Sequence, residues 1–350
     1  MAENQTLLFS ATLPKDLRSI MASHMRGDYL TVDCVQDVDP ASHTNANVEQ
    51  SYVTLPRLDP GDDVSAKGRS ITALVDIVED VVHVRNPDDY KMVIFFPTTA
   101  MCQFFSKVFN DVFRIPVLEI HSKKTQQVRT KVSDKFRKWK RGILFTTDVS
   151  ARGVDYPDVT HVVQYGSAEN RETYIHRLGR TGRAGKVGRG IILMSGKREA
   201  GQFIGNELRG LDVKNDERYQ RLVDGETIVD ENDGGGGIPG HLNRREINSR
   251  RLKKVQDGVG NGKDRDLQKL GAATYKSLLG YNMTKMGNLG VRTKEEVADH
   301  VNEFGRQLGY REGDAPKLSP KVAQTLGLKG VRGVNVGSAD RASSSGGYGG

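Results

Sequence analysis

The sequence predicts an α/β chain: a parallel sheet with helices on both faces, then a mostly helical extension and a disordered Gly/Ser tail. Three observations carry this expectation. Short apolar runs alternate with amphipathic segments from residue 48 to about 210, the pattern of strands buried on both faces by crossover helices. Beyond the glycine run Gly234 to Gly237 the strand-like runs stop and helical apolar spacing takes over. The final SSSGGYGG is low in complexity and offers too little apolar surface to order itself.

Taken in order, residues 6–9 form a short apolar run that ends in Ser10, Ala11 and Thr12. Pro14 then opens a helix with Leu17, Ile20 and Met21 on one side. Residues 29–32 and 50–54 read as strands, 70–84 as a helix, and 92–96 as a buried strand stopped by Pro97. A helix over 99–109, a strand over 117–120, a helix over 125–139 and a strand over 143–147 come next. Residues 159–164 and 190–194 are the last strands, with a helix over 171–178 between them. Ligands of such sheets bind outside the carboxyl ends of the strands, so the polar groups placed there are the first candidates. In the extension, residues 267–279 carry a stripe of Tyr275, Leu278 and Leu279, and residues 293–308 one of Val297, Val301 and Phe304. Residues 241–254 gather Arg244, Arg245, Arg250, Arg251, Lys253 and Lys254, with Leu242, Ile247, Leu252 and Val255 nearby. That segment is either a basic helix laid on phosphates or a solvated face above a docking stripe.

Composition narrows the partner. At 350 residues, 36% of them hydrophobic, the chain can bury a core in about two domains. A net charge of +8 and a pI near 9.3 point to an acidic partner, nucleic acid first. Cys34 and Cys102 give neither a disulfide framework nor a metal spacing, so we expect a reducing compartment and no protein-held metal. No run reaches the roughly 18 apolar residues of a membrane span, and MAENQTLLFSATL lacks a basic segment followed by a long apolar one. A soluble, monomeric protein without a membrane partner is expected. Asn4 and Asn282 match the glycosylation pattern by chance.

The chemistry-bearing stretch is Tyr174 to Arg183, YIHRLGRTGR, in which Arg177, Arg180 and Arg183 recur every third residue. Guanidiniums spaced in this way sit near one helical face, and their planar forks suit phosphate oxygens. Gly179 and Gly182 let backbone approach a ligand or another domain. Two further strings come directly after strands: His121-Ser-Lys-Lys-Thr-Gln-Gln-Val-Arg129, and Thr147-Asp-Val-Ser-Ala-Arg-Gly-Val-Asp155. The second offers a hydroxyl, backbone amides and Gly153 along a turn, which suits a nucleic-acid backbone tracked without reading bases.

These strings, with VIFFPT at residues 93–98 and the Ser-Ala-Thr at residues 10–12, resemble the carboxyl-terminal motifs of the DEAD-box RNA helicases. The likeness is nearly continuous from Ser10 to about Ser195. It implies a RecA-like sheet domain. It also implies that Arg180 and Arg183 act as arginine fingers on the γ-phosphate of ATP, that His176 relays between the nucleotide and RNA sites, and that Asp155 holds the ribose. By the same resemblance Arg129, Thr147, Arg152 and Gly153 contact the RNA backbone, and Ser10, Thr12 and Gln126 couple hydrolysis to strand separation. Ser122 stands where the family has glycine.

No G-x-x-x-x-G-K-[ST] comes after a strand and no Asp-Glu-Ala-Asp run is present. The phosphate cradle and the carboxylates for Mg²⁺ are therefore expected from a first RecA-like domain, and the chain alone is expected to be inactive. Gly260-Asn-Gly262-Lys263 reads as a loop, since Asp264 stands where a magnesium-binding hydroxyl belongs. YKSLLGY, VNEFGRQLG and LSPKVAQTLGLKGVRGV resemble the extension of plant DEAD-box helicases similar to the yeast mitochondrial intron-splicing helicase. There the extension packs on the second domain and lengthens the RNA track.

The expected domains are the end of a first RecA-like domain with its linker (1–28), the second RecA-like domain (29–212), a flexible link (213–240), the helical extension (241–337) and the tail (338–350). An organelle (mitochondrion or plastid), the nucleus and the cytoplasm all remain open as compartments. A non-catalytic RNA-binding or helicase-regulating protein with the same fold is the competing reading.

Overall fold

A computed structural model describes residues 8, 15–30, 32, 47–55, 69–85, 88–150, 154–226 and 239–337. The chain divides into two compact units, Met1–His43 and Thr44–Gly350. In the first, α1 (Lys15–His24) forms over the stretch expected to be helical. The strand expected over residues 29–32 does not form: Tyr29, Leu30 and Val32 lack regular structure, and Leu30 and Val32 are 86% and 72% exposed. An apolar run becomes a strand only when a neighbour takes its hydrogen bonds, and no described strand pairs with it.

The second unit is built on a seven-stranded sheet in the order β3-β4-β2-β5-β6-β1-β7. Its strands are β1 (Val48–Thr54), β2 (Lys91–Phe95), β3 (Leu118–Ile120), β4 (Gly142–Thr146), β5 (His161–Tyr165), β6 (Gly188–Met194) and β7 (Lys214–Asn215). Every pairing is parallel. The connecting helices are α2 (Arg69–Asp80), α3 (Thr99–Lys107), α4 (Gln126–Lys138), α5 (Arg171–Leu178), α6 (Lys197–Gln202) and α7 (Glu217–Asp224).

The period of two along each strand decides which helices lie on which face. Ile94, Phe145 and Val163 share a core cluster with Leu74 of α2 and Phe104 and Phe105 of α3. Their neighbours Val93, Phe95, Leu144 and Val162 bury Phe136 of α4 on the opposite face, and Ile192 and Met194 bury Tyr174 and Leu178 of α5. Phe96, Phe105, Phe109, Phe145 and Tyr165 stack at centroid separations of 4.9 to 5.8 Å. This aromatic block stiffens the floor beneath the ends of β2, β4 and β5.

Part of the expected link is ordered. Residues 214–224 hold β7 and α7. Asp216 caps α7 by accepting the Tyr219 amide at 3.0 Å, and Tyr219 is fully buried. The strand is too short, and the helix too polar, to stand out from a linker by pattern alone. Residues 227–238, with the glycine run, lie outside the described residues, as does the tail 338–350.

The extension comprises α8 (Pro239–Gly260), α9 (Arg265–Thr284), α10 (Met286–Leu289), α11 (Lys294–Gln307) and α12 (Pro320–Thr325). Asp264 caps α9, and Thr293 with Glu296 forms a capping box on α11. Leu252, Val255, Tyr275, Leu279, Val301 and Phe304 belong to the same core cluster as Leu74 and Phe105. The extension thus forms an outer layer over α2 and α3. Ser277 Oγ of α9 lies 2.9 Å from Thr98 Oγ1, which also caps α3, and Gln307 accepts the Ser70 amide at 3.0 Å. Of the expected loop 260–263, Gly260 ends α8 and residues 261–263 form the loop, with Lys263 on Asp257 at 2.7 Å; Asn282 is buried. Among the described residues no helix is long and apolar enough to cross a membrane.

Candidate nucleotide and RNA site

The sequence places three guanidiniums on one face; the fold separates them. Helix α5 ends at Leu178, with Gly179 as its C-cap, so of the three only Arg177 lies in α5. Arg177 turns inward, 1% exposed, and grips Asp148 with Nε to Oδ1 at 2.6 Å and Nη2 to Oδ2 at 2.9 Å. Its Nη1 donates to Gln164 at 3.4 Å, and the guanidinium lies over the Phe95 ring, 5.5 Å from the centroid. Arg177 is therefore not an open phosphate ligand. It ties α5 to the turn after β4 by a two-point ion pair.

Arg180 and Arg183 lie beyond the helix. Gly182, Ala184 and Gly185 all have positive φ, at 68°, 54° and 76°, and this left-handed stretch folds Arg183 back so that its Nε donates to Gly179 O at 2.8 Å. Arg183 Nη1 pairs with Asp155, and Arg180 Nη1 donates to the Val154 carbonyl beside it. The segments leading into β5 and β6 are joined again where Thr181 Oγ1 donates to Val159 O at 2.5 Å. Burial, and after it the neighbouring charge of Arg183, pushes the Arg180 guanidinium down to about 10, so it stays charged at neutral pH. Two such forks beside a carboxylate form a donor set for a phosphate chain and an acceptor for a sugar hydroxyl. His176 is half-buried on α5, and its carbonyl accepts Arg180 Nε at 3.3 Å.

This group does not sit at the carboxyl ends of the strands, where every polar constellation was expected. Asp155 belongs to the segment leading into β5, and Arg180 and Arg183 to the segment leading into β6. Asn47, which precedes β1, donates to Gly185 O at 3.2 Å, which places the turn near the strand starts. The reason is the return path: α5 runs back along the sheet, so the arginine turn at its end emerges on the opposite edge.

A second group does occupy the carboxyl ends. Thr147 comes directly after β4, half-buried, and its carbonyl accepts the Ser150 amide at 3.1 Å. Thr146 Oγ1 donates to Ile120 O at 2.9 Å and meets Ser150 Oγ at 2.9 Å, which fixes this turn beside the end of β3. After β3, Lys124 pairs with Glu119 at 2.6 Å, whereas Lys123 is exposed and reaches Gln103 at 3.4 Å. Burial would raise the Glu119 carboxyl, but His121 and Lys124 beside it outweigh burial and hold it below its usual value. Ser122 meets Thr99 Oγ1 at 3.2 Å. On α4, Gln126 is exposed and donates to Thr130 at 3.5 Å, and the buried Arg129 Nε has no hydrogen-bond partner among the described residues. Ser10, Thr12, Arg152 and Gly153 lie outside the described residues.

Of the basic segment on α8, Leu252 and Val255 are buried against the core, which supplies the docking stripe. Arg250, Lys253 and Lys254 remain exposed. Ile247, expected in the stripe, is 37% exposed. The Arg177 to Asp148 pair and the contacts of Ser277, Tyr281 and Asn288 were not legible in the sequence, because partners 29 to 179 residues apart are set by the fold alone.

The helicase conserved C-terminal domain family matches residues 71–185, the stretch from α2 through the arginine turn. DEAD-box ATP-dependent RNA helicase 31 of Arabidopsis thaliana is 34% identical over 95% of this chain and 39% of its own length. The mitochondrial ATP-dependent RNA helicase mss116 of Aspergillus fumigatus is 31% identical over 97% of this chain and 50% of its own. A solved DEAD-box helicase Mss116, bound to ssRNA and UDP-BeF, superposes with a TM-score of 0.67 at 25% identity, covering 93% of this chain and 56% of that one.

The chain corresponds to the carboxyl-terminal half of the DEAD-box RNA helicases. It spans 39% and 33% of helicases 31 and 26 of Arabidopsis thaliana. The likeness to the DEAD-box Mss116 structure covers the extension as well as the sheet, so the outer layer of α8, α9 and α11 is part of the shared fold.

Proposed function

We propose that this chain supplies one half of an ATP site and a sequence-tolerant RNA track to an ATP-dependent RNA helicase, the phosphate cradle and Mg²⁺ ligands coming from a first RecA-like domain. The observation that carries the reading is the convergence of Arg180, Arg183 and Asp155, joined by an ion pair although the sequence separates Asp155 from Arg183 by 28 positions. In this reading ATP draws Arg183 off Asp155. The carboxylate then accepts the ribose hydroxyls, and both guanidiniums stabilise charge on the transferred phosphoryl group. Thr147, Arg129, Arg152 and Gly153 hold the RNA backbone. The Arg177 to Asp148 pair links the two groups, which gives hydrolysis and RNA grip a common part. Ser10, Thr12, Gln126 and His176 couple them further. The mitochondrial name of the Aspergillus relative supports an organelle address.

Backbone-directed binding makes a measurable claim. Affinity for single-stranded RNA should differ little between sequences and should fall with salt at a log-log slope of about −0.7 for each phosphate neutralised. Replacing Arg250, Lys253 and Lys254 together by alanine should flatten that slope by about one to two units. An unchanged slope puts the exposed face of α8 outside the track, and strong base preference contradicts the track itself.

A further inference from the structure

Residues 166–170 carry the chain from the end of β5 into α5, and so set where the helix bearing His176 and Arg177 begins. Asn170 caps that helix by accepting the Thr173 amide at 2.9 Å. The segment is gripped from the extension. Tyr281 Oη donates to Ser167 O at 3.3 Å, Asn288 Nδ2 donates to Ala168 O at 3.2 Å and to Glu169 O at 3.1 Å, and Lys285 pairs with Glu169 at 2.7 Å. From the sheet side, the Gly166 amide donates to Leu193 O at 2.7 Å and the Ser167 amide to Glu199 at 2.8 Å.

Ala168 is buried in a core cluster with Tyr174 and Leu178, whereas Glu169 and Asn170 are exposed. A solvent-open cleft of about 1220 Å³ borders it, lined by Gly166, Ser167, Tyr281, Asn282 and Lys285 among others. The directional bonds from α9 and α10 add to those from Leu193 and Glu199 in holding the backbone. Burial pushes the Tyr281 phenol up to about 12, and it lies within the field of Arg177 and Asp148.

We infer that the extension is a positioning device for the arginine turn: Tyr281, Lys285 and Asn288 clamp residues 166–170 and thereby set the reach of Arg180 and Arg183. None of the three touches the phosphate-directed group. The inference rests on the proposed role of Arg180 and Arg183, and it gives the extension a part in hydrolysis as well as in RNA contact.

Asn288→Asp keeps the side-chain volume but turns an acceptor toward two carbonyls, and Tyr281→Phe removes one hydroxyl. Hydrogen exchange of the amides of residues 173–178 in the full 350-residue chain should rise about 2- to 10-fold for each hydrogen bond lost. Exchange in α11 should not change. Lys285→Ala should act in the same direction and Lys285→Arg should restore protection by keeping the pair with Glu169. When the chain is joined to a first RecA-like domain, the variants that loosen α5 should lower kcat and leave RNA affinity unaltered. Unchanged exchange in α5 overturns the inference, and so does raised exchange with an unaltered kcat. If the unaltered joined protein shows no turnover, the reading of Arg180 and Arg183 fails instead, and the exchange result still decides whether the extension holds α5.

Discussion

Arg180→Lys, in a protein that joins a first RecA-like domain ahead of Gln5, should abolish most RNA-stimulated ATP turnover while ATP-independent RNA binding holds. Arginine fingers of other phosphoryl-transfer enzymes contribute about 10³ to 10⁵ in rate, or about 4 to 7 kcal/mol of barrier. Lysine keeps the charge but has no planar fork, so it cannot hold the Val154 carbonyl and a phosphate oxygen with fixed geometry. Below pH 9 the native guanidinium is charged, since burial and Arg183 lower it only to about 10. A loss measured at neutral pH therefore reports geometry. Steady-state turnover beside RNA affinity is the check, and equal losses in both would place Arg180 in the RNA track.

The second large effect is on stability. Asp148→Ala leaves the Arg177 guanidinium 1% exposed with Gln164 and the Phe95 ring as its remaining partners. Breaking a buried ion pair costs about 3 to 5 kcal/mol, and we expect the lower end because the Asp148 side chain is 52% exposed. Arg177→Met removes the buried charge itself and should cost less, about 1 to 2 kcal/mol. Urea unfolding of the two variants gives the order. If Asp148→Ala is the milder change, the pair is not a lock between the turn after β4 and helix α5.

The sheet was largely legible because its signal is local. Apolar runs such as those around Val93 and Leu144 are buried on both faces, and Thr125 and Asn170 cap the helices α4 and α5. The arginine motif was legible as chemistry but not as geometry. A spacing of three implies one face only while the helix lasts, and α5 stops at Leu178. Whether a polar group ends at a strand's start or its finish depends on the path of the returning helix, which no local pattern carries. The grip of Tyr281, Lys285 and Asn288 on residues 166–170 was hidden for the same reason. Tyr281 and Asn288 are ordinary helical residues until the fold brings each beside a carbonyl more than 110 residues away.

The central claim is that Asp155, Arg180 and Arg183 form half of a nucleotide site. The most direct measurement is the structure of the chain joined to a first RecA-like domain, with single-stranded RNA and a non-hydrolysable ATP analogue bound. The account expects the Arg183 to Asp155 pair to be broken, both guanidiniums to lie within about 3 Å of γ-phosphate oxygens, and the Asp155 carboxylate to face the ribose. A bound nucleotide with Arg183 still on Asp155 and Arg180 turned away would contradict it.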